Sequence, residues 1–271
     1  MLKQRIITGI VLAIVVIGTI LKLDTNWVIA LFAGILFVAT WELLKLTIKP
    51  PTLVAVIASG LFVVIFWWSL ALVNPLLIYW QSLAGLVLWV LITFALIAYR
   101  HNGNLPLLAR ILLLGLGLDL LWICVHGLIY LYGMYGGEIL LYLLSLVWVA
   151  DIGAYFSGRR FGKRKLAPAI SPGKTWEGFC GGLVANLLWI IGIYFFSTGW
   201  GFGFLQFVLI GVATSLISVV GDLFESILKR EAGVKDSGKL LPGHGGVLDR
   251  IDSLIAASPV FVAGTFLAGS L

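Results

Sequence analysis

The sequence predicts an all-α, polytopic integral membrane protein with about nine transmembrane helices and a cytoplasmic N-terminus, and three features predict it. The first is apolarity. Hydrophobic residues make up 61% of the 271-residue chain, charged residues 11%, and the mean hydropathy is +1.10. Soluble domains average roughly 45–50% apolar and 25% charged residues, so no soluble fold covers this much apolar surface. The second is the recurrence of apolar runs of about 20 residues, the length that crosses a bilayer as a helix. The third is the sorting of charge between alternate loops.

The spans follow in order at about 6–23, 26–46, 53–73, 76–99, 106–132, 138–157, 176–198, 203–226 and 251–270. The first follows the basic start MLKQRI. Its run is long and no small-residue cleavage site closes it, so it reads as a retained span and not as a signal peptide. The turns LDTN, VNP and YGMYGGE separate later spans and are too short to form a domain. The fifth run is long and contains Arg110 and Asp119, which leaves room for an interfacial piece. Continuous runs exclude a β-barrel, whose strands alternate over about 10 residues. Helices satisfy their own backbone groups in lipid.

Of the 18 Lys and Arg, all but Lys22 fall on one set of alternate loops: Lys3, Arg5, Lys45, Lys49, Arg100, Arg110, then the clusters at 159–174 and 229–250. The positive-inside rule makes that side cytoplasmic. An odd number of spans then places the C-terminus outside. The net charge of +6 is spread over these loops and is no nucleic-acid footprint. Cys124 and Cys180 lie in apolar runs and read as small buried hydrophobes, with no zinc-site spacing. Residues 1–135 carry few polar groups within their spans and read as mostly scaffold. Residues 136–271 read as the catalytic region, with polar cytoplasmic loops at 158–175 and 227–250.

Ionisable groups inside a span cost about 2.5–3.5 kcal/mol each near its centre. The candidates are Glu42, Asp119, Asp151, Glu177, Asp222, Glu225 and Asp252, with Asp249 at the mouth of the last span. In VVGDLFESILKRE, helical spacing puts Asp222, Glu225, Ser226 and Lys229 on one polar stripe. The stripe suits a site for a metal and a phosphate; the alternative is an internally neutralised Asp–Lys pair that only packs helices. In KDSGKLLPGHGGVLDRID, Pro242 and the glycines break any helix. Amides of such a turn cradle phosphate, and Lys235, Lys239 and His244 add positive charge. Asp249 and Asp252 face one way and suit Mg²⁺ bound with substrate phosphates. In the block at 148–182, Asp151, Arg159, Arg160, Ser171, Lys174 and Glu177 flank a tight polar turn. GKT there lacks the upstream glycines and strand of a P-loop. Lys163, Arg164 and Lys165 also fit anchors for anionic lipid headgroups, and Gly178 and Gly182 are spaced for close helix packing. Two polar blocks on one side, each entering a helix with carboxylates, frame one pocket for a soluble polyphosphate and a phosphorylated lipid.

SILKREAGVKDSGKLLPGHGGVLDRID (226–252) resembles the signature of the phosphatidate cytidylyltransferase family, and ADIGAYFSGRRFGK, ISPGKTWEGF, MLKQRI and the WE at 41–42 are similar to other segments of that family. The resemblance implies synthesis of CDP-diacylglycerol from CTP and phosphatidate, with pyrophosphate released and a divalent metal, Mg²⁺ or another, required; a second ion is compatible. It implies that Asp222 and Asp249 form the metal pair. Catalytic roles fall on Asp222, Asp249, Lys229, Arg230 and His244. Substrate binding falls on Ser226, Lys235, Asp236, Ser171, Lys174, Arg159 and Asp252. The expected partners are the two substrates and the lipid bilayer, with no nucleic acid. A homodimer is compatible with the sequence. A CTP-dependent polyprenol kinase is the alternative reaction. A transporter is disfavoured because its site needs polar groups near the midplane and inverted repeats. The helix pattern of CDP-alcohol phosphotransferases is not found.

Overall fold

The structure, a computed structural model, describes residues 2–99, 105–197 and 199–269, with side chains from residue 7 onward. Arg100, and the side chains of Lys3 and Arg5, lie outside the described residues. All nine expected segments are helical: α1 (Leu2–Lys22), α2 (Thr25–Thr47), α3 (Thr52–Ser69, continued by a 3₁₀ turn to Leu72), α4 (Pro75–Ala98), α5 (Leu107–Tyr135), α6 (Gly137–Phe161), α7 (Trp176–Phe196), α8 (Phe204–Ala232) and α9 (Leu248–Leu267). Among the described residues, eight helices, α2 to α9, are long and apolar enough to cross a membrane. The described apolar part of α1, Ile7–Lys22, is shorter.

Local signals set the helix ends. Asn74 Oδ1 accepts the Leu77 N–H at 2.9 Å and Thr175 Oγ1 accepts the Gly178 N–H at 3.1 Å, each satisfying an amide that the first turn leaves free. Gly233, at φ 73°, ends α8 in the left-handed conformation. Helices α6 and α8 run past the ends of their apolar runs, to Phe161 and Ala232. Their polar residues continue the helix into the aqueous boundary, where hydropathy no longer reports it.

Helix α9 forms the centre. Ala256, Ala257, Val262 and Ala263 are fully buried, and α4, α5, α6 and α8 pack around it. The outer surface is the reverse. Large apolar side chains face outward on most helices, up to Phe196 at 94% exposure, an arrangement stable only in a lipid solvent. Cys124 is buried as expected, but Cys180 is exposed, on an open surface beside Ser157 and Phe161 of α6. The face of α7 toward α6 carries Gly178 and Gly182. A Cβ at either would come within 3 Å of an α6 carbonyl, of Ala154 or Ala150, so the expected close packing is present.

One element was not expected. Strand β1 (Lys165–Ala167) pairs antiparallel with β2 (Ser171–Thr175), in the register Lys165 to Thr175 and Ala167 to Ser171. The hairpin is seated by Ile170, which packs on Leu223 and Ile227 of α8.

Candidate functional site

The polar stripe of α8 forms as its spacing requires, and each carboxylate on it finds a different partner. Ser226 Oγ donates to Asp222 Oδ1 at 3.3 Å. Asp222 Oδ2 accepts Lys174 Nζ of the hairpin at 2.7 Å. One turn on, Lys229 pairs with Glu225 and reaches across to Asp249 Oδ1 of α9 at 2.7 Å. Helix α8 thus joins both polar blocks, the hairpin through Asp222 and the start of α9 through Lys229.

Asp249 is held more tightly than any other carboxylate of the site. Its Oδ2 accepts the Ser237 N–H at 2.8 Å, the Ser237 hydroxyl at 2.9 Å and the Gly246 N–H at 2.8 Å. With Lys229 on Oδ1, four donors meet the roughly four acceptor positions of a carboxylate. The loop between α8 and α9 is thereby pulled back onto the first turn of α9.

The hairpin is fixed at both ends. Glu177 accepts the N–H groups of Lys163, at 3.0 Å, and Arg164. Arg230 Nε donates to the Ile170 carbonyl at 3.1 Å. Arg230 therefore orders the element that carries Lys174. Ser171 sits in β2 opposite Ala167.

Two cavities open beside this framework, where the sequence led us to expect one pocket. The first, about 460 Å³, is lined by Asp151, Arg159, Lys174, Thr175 and Asp222 over apolar groups that include Ala154, Phe179, Leu183 and Val219. The second, about 580 Å³, is lined by Lys235, Asp236, Lys239, His244 and Arg250 with the Pro242–Gly245 turn. The two blocks line separate cavities, with Lys174 paired to Asp222 and Lys229 to Glu225 and Asp249. The cavities still interact by charge. Asp151 feels Asp222 and Lys174 in its own cavity, and Arg250 from the other. Asp252, partly buried on α9, feels Asp222, Lys229 and Asp151, and its Oδ1 accepts the adjacent Ser253 N–H at 2.7 Å.

A divalent cation fits part of this donor set. Asp222 offers hard oxygen donors, 30% exposed, beside a cavity that Asp151 also lines, and a cation there would relieve the repulsion among Asp151, Asp222 and Asp252. The fit is poorer at Asp249, where a cation would have to displace Lys229 or the loop amides. The expected pair, Asp222 and Asp249, is thus split between different partners here. Among the described residues no group of three or more His, Cys, Asp or Glu side chains is arranged to hold a metal ion by itself. A cation would complete its shell with water and substrate phosphates, which is the habit of Mg²⁺.

The sequence reading left Glu42 without a role and did not single out Ser237 or Arg250. Glu42 stood out as a carboxylate inside a span, but its partner Ser237 lies 195 residues away, beyond any local pattern. Asp119 lies on the exposed face of α5 and lines neither cavity.

Comparison with known proteins agrees with the resemblance. The chain is 41% identical to a phosphatidate cytidylyltransferase of Haemophilus influenzae, over 96% of this chain and 97% of that protein. It is 41% identical to one of Pseudomonas aeruginosa, over 99% and 98%, and 33% identical to one of Bacillus subtilis, over 95% of each. Residues 3–267 match the sequence model of the cytidylyltransferase family, and the chain belongs to that family.

Proposed function

We propose that the protein transfers the cytidylyl group of CTP to phosphatidate, forming CDP-diacylglycerol and pyrophosphate at the cytoplasmic face of the cell's inner membrane. The observation that carries this reading is the pairing of the two cavities. One joins cations and carboxylates to an apolar wall, as a lipid phosphate requires. Beside it, the other is polar and rich in cations, as a nucleoside triphosphate requires.

In this reading phosphatidate lies in the first cavity, its glycerol and acyl portion against Ala154, Phe179, Leu183 and Val219 and its phosphate near Arg159 and Lys174. The triphosphate of CTP lies against Lys235, Lys239, His244 and Arg250. A phosphatidate oxygen attacks the α-phosphorus of CTP and forms the new P–O bond. The bond from the α-phosphorus to the bridging oxygen breaks, and its electron pair leaves with pyrophosphate. A phosphate monoester is already an adequate nucleophile near neutral pH, so no activated Ser or Cys is needed. The protein contributes placement and charge neutralisation.

Lys174 has a second role. A substrate phosphate competes with Asp222 for its ammonium, and the exchange frees an Asp222 oxygen. Asp222 is where a divalent cation, Mg²⁺ or another, would be held, and Asp249 becomes a second ligand only when Lys229 leaves its Oδ1. Such a cation supplies charge neutralisation for the polyphosphate and its leaving group. One chain carries every residue used here, so a homodimer is not required by the mechanism.

The test is pyrophosphate release by the purified chain in detergent micelles, with each component omitted in turn. Release that needs CTP, phosphatidate and a divalent cation together supports the reading. Release without phosphatidate, or none with all three present, overturns it.

A further inference from the structure

The half of the chain expected to be scaffold supplies a buried carboxylate to the polar loop. Glu42, near the end of α2, is 1% exposed. Its Oε1 accepts the Val247 N–H at 3.1 Å and its Oε2 accepts the Leu248 N–H at 2.7 Å. These amides sit at the start of α9, where the helix has no acceptors of its own. The carboxylate is therefore a cap delivered from another helix, with its charge toward the positive end of the dipole. Its Oε2 is also 3.0 Å from Ser237 Oγ, and that hydroxyl is 2.9 Å from Asp249 Oδ2. One serine thus stands between Glu42 and Asp249, its single hydroxyl proton serving one carboxylate at a time. The loop closes around the carboxylate, since a Cβ at Gly238 or at Gly246 would run into its oxygens. Capping alone accounts for the two amide contacts. It does not account for the contact with Ser237, or for a loop wrapped so closely that a Cβ at Gly238 or Gly246 would have to push the Glu42 or Ser237 side chain aside. Glu42 itself lines neither cavity.

We propose that Glu42 is a positioning residue for the transfer reaction. It fixes the 235–246 segment, which presents Lys235, Lys239 and His244, and through Ser237 it orients Asp249. The kinetic part of the proposal rests on the reading that this segment binds CTP; the structural part does not.

The test uses the full chain in detergent with Glu42→Gln, Glu42→Ala, Ser237→Ala and the Glu42→Gln/Ser237→Ala double variant. Glutamine keeps one acceptor oxygen and loses the other, so its effect is milder than that of alanine. The first readout needs no turnover: tryptic cleavage after Lys235 and Lys239, both exposed. Cleavage is about tenfold faster in Glu42→Gln, the effect of one lost charge-assisted hydrogen bond on the open population. Cleavage elsewhere is unchanged.

The second readout is kinetic. The KM for CTP rises roughly 10- to 100-fold while the KM for phosphatidate stays put. A residue that merely stabilised the fold would lower the active fraction and move neither KM. Ser237→Ala leaves the cap in place and shifts the KM for CTP the same way, which keeps the proposal testable if the Glu42 variants do not fold. The double variant is no worse than its worse parent, because both lie on one path. Unchanged cleavage and unchanged KM for CTP in folded Glu42→Gln overturn the proposal, and so do additive effects in the double variant. If the wild-type protein makes no CDP-diacylglycerol, the functional reading fails, and the cleavage comparison then decides alone whether Glu42 holds the loop.

Discussion

Lys229→Met removes a cation that serves two buried carboxylates at once. The Lys229 side chain is 13% exposed, and those of Glu225 and Asp249 are 3% exposed. The loss falls unequally. Asp249 keeps three donors from Ser237 and Gly246, whereas neither Glu225 oxygen has a hydrogen-bond partner besides this ion pair. Removing one partner of a buried pair costs about 3–5 kcal/mol, carried here mainly by Glu225. At about 2–4 °C per kcal/mol for a chain of this size, thermal unfolding shifts down by roughly 6–20 °C. The assay is tryptophan fluorescence on heating in detergent micelles. Adding Glu225→Gln removes the stranded charge, so the Glu225→Gln/Lys229→Met double variant regains most of the lost stability and none of the activity. Unfolding of Lys229→Met within about 2 °C of wild type refutes the reasoning, as does a double variant no more stable than the single one.

Asp222→Asn leaves the fold nearly as stable, because a partly exposed ion pair contributes only about 0–1 kcal/mol. It lowers kcat about 10²-fold or more at saturating Mg²⁺, read by pyrophosphate release. Gly246→Ala forces a Cβ against Ser237 Oγ and the Glu42 oxygens. It costs about 1–3 kcal/mol, read as a lower unfolding temperature together with a raised KM for CTP. Asn186→Ala removes bonds of 2.8 Å to the Leu146 carbonyl and 2.7 Å to Ser215 Oγ. At about 0.6–1.7 kcal/mol for a polar contact between membrane helices, unfolding shifts by a few degrees while transfer activity is retained.

The helices were legible because lipid imposes a length and a composition that hydropathy reads directly. Even the α8 stripe, from Asp222 to Lys229, followed from spacing within one helix. Where the chain turns polar the reading weakened. The ends of α6 and α8 were placed too early, since beyond the membrane boundary a helix needs no apolar residues. The 165–175 hairpin was missed because its strands are short and nothing local shows that Ile170, which seats it, packs on α8. At the site, residue types were legible but pairings were not. The family resemblance makes Asp222 and Asp249 one ligand pair, yet Lys174 takes the first while Lys229, Ser237 and Gly246 take the second. Those choices depend on how α7, α8 and α9 pack. Glu42 shows the limit most clearly: a carboxylate in a span signals a buried partner, and only the packed chain says which.

The measurement that bears most directly on the account is the fate of label from CTP marked at the α-phosphate, incubated with the purified chain, phosphatidate and Mg²⁺ in detergent micelles. The account predicts label in the lipid fraction as CDP-diacylglycerol, with one pyrophosphate released per labelled lipid. Label that stays in soluble CDP would contradict it, because attack would then fall on the γ-phosphate and the two cavities would serve a kinase.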